Sequence, residues 1–459
     1  MQKPPSVKSP RYFGTDGIRG LANAGKMSPN NLVRLAQKTA YYFAAQSGGS
    51  ETPSVFIGKD TRLSGDMIEA SLIAGFTSVG MNVKLSDPLP TSGVSILTPA
   101  LGASMGVMIT ASHNKFQDNG LKFFGPDGRK LSDEAEHAIE VLLASDDLEL
   151  VSSKHIGRVE HITETQERYI EVAKAAFPKD LSLAGLKIVI DCANGAAFQT
   201  APRVLNALGA DKVIEIGVSP NGININAECG STHTELLSQT VTENRADIGI
   251  ALDGDADRVI MCDEKGKVID GDQLLGLIAR AWKAEGKLTQ SGLIVTVMSN
   301  LGLERYIEAQ DLIFIRTAVG DRHVAAYMQA HGYNLGGEQS GHILMPDIAP
   351  TGDGIMAALQ VLAEMVRRQK PASEILDVFD PVPQMLKNVR FSGDSPLELD
   401  SVKMAIRTAE GLLGSDGRVL VRASGTEPLI RVMAEGDNES LVDRVTDDIV
   451  EAIKSIASP

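Results

Sequence analysis

The chain has 459 residues, of which 43% are hydrophobic and 22% are charged, and this length and composition predict a soluble protein of roughly two to four domains. The formal net charge of −15 argues against nucleic acid or an anionic membrane as a partner. Three scattered cysteines without a CxxC pair favour neither a disulfide framework nor a zinc site. No apolar run approaches the roughly 18 residues of a membrane helix, and residues 1–10 are predicted to be a disordered polar tail, so we expect a cytoplasmic protein.

The first predicted unit, residues 11–165, has the element order of a parallel α/β layer. Apolar strands alternate with helical patterns, and polar loops follow the strands. Ser64 is predicted to be the N-cap of the second helix. Residues 120–124 and the Gly-Pro-Asp-Gly turn after them predict a hairpin. The predicted helices cover 32–43 and 65–79, and the predicted strands cover 54–57, 82–85, 106–109 and 120–124.

Two similar α/β units and one different module are predicted to follow. The second unit covers 166–268, the third covers 269–381, and a Pro-Val-Pro linker leads into a small α+β module over 382–459. The predicted helices of these units are 199–208, 273–284, 354–368, 401–413 and 440–456. The predicted strands are 186–190, 247–252, 293–298, 312–315, 418–422 and 429–434, with 259–269 as a hairpin.

The loop after the strand 106–109 offers a hydroxyl, an imidazole, an amide and an ammonium in consecutive residues, Ser112 to Lys115. Loops at strand ends hold the chemistry of α/β proteins, so Ser112 is a candidate to carry a phosphoryl group. A plain turn that satisfies its own backbone explains the same residues. A serine hydrolase with His113 as base is disfavoured, because adjacent loop residues seldom align hydroxyl and imidazole and no Gly-x-Ser-x-Gly motif is present.

Three alternating carboxylates, Asp253, Asp255 and Asp257, follow the apolar strand 247–252. Carboxylates this close repel one another unless a cation neutralises them, and hard oxygen ligands suit Mg²⁺. An EF-hand calcium loop is the main alternative, but Arg258 stands where that loop needs glycine, and the flanks are strands. A magnesium site beside the serine loop favours a phosphoserine there, because the cation neutralises the phosphate.

Two further loops carry groups suited to a phosphosugar. Residues 337–342 supply a glutamate, a glutamine, a serine and a histidine, which can hydrogen-bond to sugar hydroxyls. Arg422 with Ser424, Gly425 and Thr426 offers a guanidinium, hydroxyls and backbone N–H groups for a phosphate, although no Walker loop is present. Alone, each loop is equally explained as an ordinary polar turn. Together with the serine loop and the three aspartates, they predict a reaction that moves phosphate on a phosphosugar.

These motifs, with the glycine- and arginine-rich opening 13–20, resemble the α-D-phosphohexomutase superfamily over residues 11 to about 456. The opening, the 337–342 loop and the 424–428 loop are similar to a bacterial branch that acts on an amino sugar. The resemblance implies three similar α/β domains with mixed sheets and a C-terminal α+β domain, four domains around a central active-site cleft, with the fourth mobile. Lys115 stands where the superfamily usually has proline, and Ala423 where proline or lysine is common, so we expect a less rigid serine loop with an added positive charge.

The resemblance also implies roles for individual residues. Ser112 would be the phosphorylated serine, and its phosphate with the three aspartates would hold one Mg²⁺ per active site. Lys122 matches the general base, ahead of His113, which stays among the catalytic candidates. The remaining assignments are Arg19 near the transferring group, Arg258 orienting the site, Glu338, Ser340 and His342 on the sugar, and Arg422, Ser424, Gly425, Thr426 and Arg431 on the phosphate that does not react.

The implied reaction interconverts glucosamine 6-phosphate and glucosamine 1-phosphate through a sugar 1,6-bisphosphate, which is both intermediate and activator. The product would serve the synthesis of UDP-N-acetylglucosamine and cell-wall precursors, and a homodimer is left open. One alternative is a phosphomannomutase or phosphoglucomutase with the same chemistry. The other is a non-catalytic phosphosugar-binding protein, against which Ser112, Lys122 and the three aspartates argue, because a pure binder has no need of them.

Overall fold

Four β-sheets follow one another along the chain, each built from its own part of the sequence. The structure, a computed structural model, describes residues 12–14, 16–46, 52–391, 395–423 and 429–457. The first three sheets combine parallel and antiparallel pairs, whereas the strand pairs of the fourth are antiparallel. The mixed α/β and the C-terminal α+β character predicted from the sequence are therefore confirmed.

The first sheet has six strands and places Ser112 just beyond a strand end. Its strands are β1 (Ile18–Leu21), β2 (Ser54–Lys59), β3 (Asn82–Leu85), β4 (Met105–Ile109), β5 (Asp118–Phe124) and β6 (Val159–His161), and its helices are α1 (Pro29–Gln46), α2 (Gly65–Ser78), α3 (Thr91–Ala100) and α4 (Asp133–Ala144). The order across the sheet is β1-β5-β4-β2-β3-β6. The loops after β2 and β4 meet at one sheet edge because these strands are parallel neighbours. β5 runs antiparallel to β4 and sets Lys122 opposite Met108.

Two local predictions for this unit need correction. Ser64 directly precedes α2, but its side chain makes no capping hydrogen bond, because its Oγ accepts from the Asn119 side-chain amide at 2.9 Å. The strand 120–124 is confirmed, but the turn after it returns for only a single bridge between Phe124 and Lys130 before the chain enters α4. The antiparallel partners of this strand are instead β1 and β4.

The second sheet has five strands and presents the three aspartates between two of them. Its strands are β7 (Lys187–Asp191), β8 (Lys212–Ile216), β9 (Ile248–Leu252), β10 (Val259–Asp263) and β11 (Val268–Ile269), and its helices are α5 (Thr165–Ala175), α6 (Thr200–Ala207) and α7 (Glu235–Asn244). The order is β11-β10-β9-β7-β8. β9 is fully buried, as its apolar run predicts, and the chain turns back through the aspartate loop into antiparallel β10.

The third sheet has four strands and carries the 337–342 loop as the connection of a short hairpin. Its strands are β12 (Gly292–Thr296), β13 (Ile313–Thr317), β14 (Gly336–Gly337) and β15 (Ile343–Leu344), and its helices are α8 (Gly271–Ala284), α9 (Leu301–Ala309), α10 (Asp321–His331), α11 (Gly354–Arg368) and α12 (Ala372–Ile375). The order is β13-β12-β14-β15. The Asp270 side chain caps α8 by accepting from Gln273 N–H.

The fourth sheet has three strands and a hydrophobic core of its own. Its strands are β16 (Gln384–Arg390), β17 (Gly417–Ala423) and β18 (Leu429–Gly436), and its helices are α13 (Asp400–Leu413) and α14 (Glu439–Ala457). Buried residues such as Val389, Val402 and Ile449 form a cluster within this unit alone, whereas one continuous cluster runs through the three preceding units. The hydrophobic core of the fourth unit is therefore separate from the core that the other three units share. No helix in the described ranges is both long enough and apolar enough to cross a bilayer.

One buried carboxylate joins the three α/β units. Asp353 caps α11 by accepting from Met356 N–H at 2.7 Å. The same side chain accepts hydrogen bonds from the Ser92 hydroxyl of α3 and, at 2.8 Å, from the Tyr169 hydroxyl of α5. Gly354, the next residue, donates its N–H to the Ala256 carbonyl in the aspartate loop at 2.9 Å. Asp353 thus fixes elements of three units around the aspartate loop.

Replacing Asp353 by alanine is expected to reduce the free energy of unfolding by about 3 kcal/mol, because a helix cap is lost and two buried hydroxyls lose their acceptor. Urea unfolding followed by the fluorescence of Trp282, the single tryptophan, measures this loss in the shared core. Ser132→Ala is the matched control, because Ser132 caps only α4 and its loss should cost about 1 kcal/mol. If both variants lost the same free energy of unfolding, Asp353 would not be the residue that holds the three units together.

Candidate active site

Ser112 lies in the loop after β4 and reaches the aspartate loop of the second unit. Its Oγ donates to Asp253 Oδ2 at 2.6 Å, and its side chain is buried. The same Oγ lies 3.2 Å from His113 Nδ1, so the two side chains are within hydrogen-bond distance, but the hydroxyl proton is directed to Asp253. The left-handed backbone of Ser112, with φ 52°, accompanies this arrangement. Burial, followed by Arg258 and Arg19, lowers the pKa of His113 to about 4, so the imidazole is neutral at pH 7.

The aspartate loop gathers three buried carboxylates in one place. Asp253, Asp255 and Asp257 each offer an oxygen such that these atoms lie within 4.8 Å of one another, which is the spacing of a metal site. The Arg258 backbone N–H donates to Asp253 Oδ1 at 3.1 Å. Thr91, at the start of α3, donates its hydroxyl to Asp255 Oδ2 at 2.5 Å and its N–H to the Asp255 carbonyl at 3.0 Å.

The charges of this loop fit a cation. Among the described residues, Asp255 Oδ1 and Asp257 Oδ1 are buried and accept no hydrogen bond. Burial, followed by the neighbouring Asp257 and Asp255, raises the pKa of Asp253 to about 8, so a proton supplies positive charge to the loop at neutral pH. A divalent cation would supply that charge and use the free oxygens. The residues present therefore fit the metal that the sequence predicts.

Lys122 projects from β5 into the same cluster. Its Nζ donates to Asp255 Oδ2 at 2.7 Å and to Asp257 Oδ2 at 2.5 Å, and lies 3.5 Å from Asp16 Oδ2. Burial alone would lower the pKa of Lys122, but Asp16, Asp255 and Asp257 raise it well above its usual value. The side chain is thus an ammonium in this arrangement, and a role as general base requires that it first lose a proton. That role stays a prediction.

A chain of charged side chains extends from Lys122 towards the third unit. Asp16 accepts from Arg19 at 2.5 Å and from Lys130 at 2.6 Å, and Lys130 also donates to Asp321 Oδ2 at 2.5 Å. The opening motif, whose Arg19 the resemblance assigns to the neighbourhood of the transferring group, lies beside the aspartate cluster through Asp16. Thr15 of that motif lies outside the described residues.

The 337–342 loop sits against the aspartate loop. The Val259 N–H donates to the Gly341 carbonyl at 3.0 Å, and a Cβ at Gly341 would lie 2.0 Å from the Val259 carbonyl oxygen, so a side chain at this position is excluded. The Glu338 carboxylate accepts from Gly320 N–H at 3.1 Å and lies 3.5 Å from the Ser340 Oγ. Glu338 is half-buried and Ser340 is exposed, so both are accessible to a ligand.

His342 and Arg258 occupy the floor of this loop. The imidazole of His342 is 4% exposed, with Nδ1 3.5 Å from Asp257 Oδ1 and Nε2 3.3 Å from Asp321 Oδ2. Burial alone would lower its pKa, but the two carboxylates raise it. The Arg258 side chain lies 4.0 Å from Asp257 and remains 22% exposed. A sugar contact by His342 and an orienting role for Arg258 both stay predictions.

The fourth unit presents two arginines side by side. Arg422 on β17 is paired in register with Arg431 on β18. The Nε atoms of both are buried without a hydrogen-bond partner in the described part of the chain. Burial, followed by the Arg431 charge, lowers the pKa of Arg422. Two adjacent guanidiniums attract an anion. The other predicted phosphate ligands, Ser424, Gly425 and Thr426, lie outside the described residues.

Comparison with known proteins decides the family. Four phosphoglucomutase/phosphomannomutase domain models match in order: alpha/beta/alpha domain I over 10–149, domain II over 167–266, domain III over 270–382 and the C-terminal domain over 386–452. The phosphoglucosamine mutase of Phenylobacterium zucineum is 56% identical over 97% of this chain and 99% of its own. That of Bradyrhizobium sp. strain BTAi1 is 56% identical over 98% of this chain and 99% of its own. The chain belongs to the phosphoglucosamine mutase family.

Solved structures show that the phosphohexomutase fold is shared over almost the whole chain. A phosphoglucomutase/phosphomannomutase family protein from Burkholderia thailandensis aligns with a TM-score of 0.81 at 22% identity, covering 97% of this chain and 98% of its own. The N-acetylphosphoglucosamine mutase of Aspergillus fumigatus, in complex with GlcNAc-6P and magnesium, aligns with a TM-score of 0.66 at 20% identity, covering 97% and 96%. The predicted fold class, four domains around a central cleft, is confirmed.

A phosphoglucosamine mutase is an enzyme of the isomerase class, so the non-catalytic alternative is excluded at the level of the family. Membership also implies a metal, which the three aspartates are able to hold. Sequence reasoning missed several members of the cluster, namely Thr91, Asp16, Lys130 and Asp321. Asp16 lies inside the quoted opening motif, which was the available signal. Thr91 and Asp321 take part only because separate units pack together, whereas Lys130 bonds both to Asp16 of its own unit and to Asp321 of the third.

Proposed function

We propose that this enzyme interconverts glucosamine 6-phosphate and glucosamine 1-phosphate, with Ser112 as the phosphoryl carrier. The observation that supports this most is the hydrogen bond from the Ser112 hydroxyl to Asp253 in a buried three-carboxylate cluster. A hydroxyl at a cation site is suited to hold and release a phosphoryl group. The relatives, which match over nearly their full length, carry the name phosphoglucosamine mutase.

In the first half of the reaction the phosphoryl group leaves Ser112. The bond between phosphorus and Ser112 Oγ breaks, a bond to the free hydroxyl oxygen of the sugar monophosphate forms, and the hydroxyl proton ends on Ser112 Oγ by way of a base. Lys122 is the candidate for that base, and its ammonium form stabilises the charge on the transferring group. The products are the sugar 1,6-bisphosphate and the free serine.

In the second half the bisphosphate turns around and returns its other phosphoryl group to Ser112. The bond between that phosphorus and its sugar oxygen breaks, the bond to Oγ re-forms, and the serine proton passes to the sugar oxygen. The site must therefore accept the sugar in two orientations. Glu338 and Ser340 would bind the sugar hydroxyls, and the Arg422–Arg431 pair would bind the phosphate that does not react. The separate core of the fourth unit is consistent with its opening during the turn.

Asp253, Asp255 and Asp257 would hold one Mg²⁺ together with the Ser112 phosphate. When bound, the cation neutralises phosphate charge and makes Ser112 Oγ a better leaving group. The chain's own contribution is the arrangement of its oxygens. Thr91 and Lys122 donate to the Oδ2 atoms of Asp255 and Asp257, while the Oδ1 atoms accept no hydrogen bond from the residues that the structure describes.

Substrate preference tests the proposal. We expect kcat/KM for glucosamine 6-phosphate to exceed the values for the glucose and mannose phosphates by at least about tenfold, which corresponds to about 1.4 kcal/mol. A coupled assay on the purified chain with each sugar, at the same concentration of 1,6-bisphosphate, measures this. A higher value for glucose or mannose phosphate would instead establish the phosphoglucomutase or phosphomannomutase alternative. The homodimer and the cytoplasmic location remain predictions.

A further inference from the structure

The backbone of Ser112 is held in a conformation that serine rarely adopts. Its φ of 52° lies in the left-handed region, where a side chain other than glycine costs on the order of 1 kcal/mol or more. Such a conformation persists only where the surroundings enforce it. The Thr110 hydroxyl accepts from the Ser112 N–H at 2.9 Å. This hydrogen bond is local, and the backbone carbonyls of the loop need other donors.

Arg62, in the loop between β2 and α2, supplies donors for the backbone carbonyls of the serine loop. Its Nη2 donates to the carbonyls of Ser112 at 2.9 Å and Asn114 at 2.8 Å. Its Nη1 donates to the carbonyls of Lys115 at 2.6 Å and Asp118 at 3.2 Å. One guanidinium therefore binds four carbonyls of the serine loop. The Lys115 side chain is exposed, but its backbone carbonyl is bound by Arg62.

The charge of Arg62 is neutralised within its own loop. Its Nε donates to Asp60 Oδ2 at 2.9 Å, and both side chains are 0% exposed. Asp60 Oδ1 accepts the Arg62 N–H at 3.0 Å, which fixes the guanidinium plane. A neutralised, fully buried guanidinium contributes little attraction for phosphate. Its five donors in a rigid fork instead serve to fix geometry.

A residue of the second unit, Asn226, binds two of the same backbone carbonyls. Asn226 Nδ2 donates to the carbonyl of Ser112 at 2.9 Å and to that of Asn114 at 3.0 Å. A Cβ at Gly254, inside the aspartate loop, would lie 2.6 Å from the Ser112 carbonyl oxygen, so the two loops touch there. The Arg62 loop is itself docked on the second unit, because Leu63 N–H donates to the Gly222 carbonyl at 2.8 Å.

We propose that Arg62 is a positioning residue which, with Asn226, keeps Ser112 in its left-handed conformation and so fixes Oγ beside Asp253. This inference rests on the proposed role of Ser112 as phosphoryl carrier. Phosphorus leaves Oγ and returns to it in each turnover, so a displaced Oγ impairs both halves of the reaction. Substrate binding relies on other groups, such as Glu338 and Arg422, and should be little affected.

Arg62→Lys tests this inference, because it keeps the charge and removes the fork. We expect kcat to fall by about 100-fold while KM changes by less than about threefold, since a displacement of about 1 Å costs a rate factor of that order. The ³¹P resonance of the phosphorylated serine in the intact enzyme should shift or broaden relative to wild type. Arg34→Lys is the matched control, because Arg34 binds the carbonyls of Leu143 and Ser145 in the same unit, away from the cluster.

Asn226→Gly is the second variant, because glycine tolerates the positive φ of Asn226 and removes only the amide. If Arg62→Lys does not fold, this variant decides: a fall in kcat with unchanged KM and a changed ³¹P signal supports the inference. The inference is overturned if kcat and the ³¹P signal of both folded variants match those of Arg34→Lys. An inactive wild-type enzyme would contradict the proposed function itself. Failure of the proposed function is therefore distinguishable from failure of the inference about Arg62.

Discussion

Replacing Ser112 by alanine is expected to abolish mutase turnover, with kcat falling by at least about 10⁴-fold, as found when the nucleophile of a covalent mechanism is removed. The Oγ of Ser112 donates to Asp253 of the three-aspartate cluster. Without it the phosphoryl group has no carrier, and neither half of the reaction proceeds. Formation of the sugar 1-phosphate in a coupled assay measures the loss.

Ser71→Ala is the matched control for this experiment. Ser71 lies on α2 in the same unit, and its hydroxyl donates to the Met67 carbonyl at 2.8 Å within the helix. Its removal should leave kcat unchanged within experimental error. Turnover by a folded Ser112→Ala enzyme at more than a few per cent of wild type would rule out a covalent mechanism through this serine.

Removal of divalent cations is expected to silence the enzyme, and added Mg²⁺ is expected to restore it fully. Added Mg²⁺ would give the buried Asp255 Oδ1 and Asp257 Oδ1 a ligand, because neither atom accepts a hydrogen bond from the described residues. Binding should also stabilise the fold, by about 2.7 kcal/mol when Mg²⁺ is present at 100 times its dissociation constant. Activity after EDTA treatment, and the thermal midpoint with and without Mg²⁺, measure the two effects.

The same cluster predicts a pH dependence with a defined sign. Without metal, the folded pKa of Asp253 is raised to about 8, above the unfolded value, so the folded state binds more protons between about pH 4 and pH 8. The stability of the metal-free protein should therefore fall as pH rises through this window. Saturating Mg²⁺, which displaces the proton, should remove the part of the slope that belongs to Asp253.

Asp253→Asn is the control for both metal effects, because it removes one ligand and the titrating carboxyl together. This variant should show neither the full Mg²⁺ stabilisation nor the Mg²⁺-sensitive slope. Full activity in EDTA, or equal stabilisation of wild type and Asp253→Asn by Mg²⁺, would contradict the metal site.

The sequence predicts the strand ends that carry the chemistry because their signals are local. Apolar runs became β4 and β9, both fully buried, and the polar residues after them became the serine and aspartate loops. The helix α3 was not predicted, since Thr91, Ser92, Gly93 and Pro99 are poor helix formers. It forms because Val94 and Leu97 join the shared core and its first turn is bound by the aspartate loop. Tertiary packing overrode propensity there.

The contacts between units could not be predicted for a related reason. Arg62 and Asn226 are far apart in sequence, and each looks like an ordinary polar loop residue until two units pack around Ser112. His342 was predicted on a sugar-binding loop from its neighbours, but the structure buries it between Asp257 and Asp321. Spacing along the chain predicts which residues share a loop. It does not predict which side chains the next unit will cover.

The phosphorylation state of Ser112 is the most direct test of the account. Intact mass spectrometry with peptide mapping, on the purified enzyme before and after incubation with a sugar 1,6-bisphosphate and Mg²⁺, measures it. We predict a species heavier by one phosphoryl group, mapped to Ser112, whose fraction rises after incubation and falls when excess sugar monophosphate is added. An active enzyme that stays unmodified under all these conditions, or that carries the phosphate on another residue, would contradict the account.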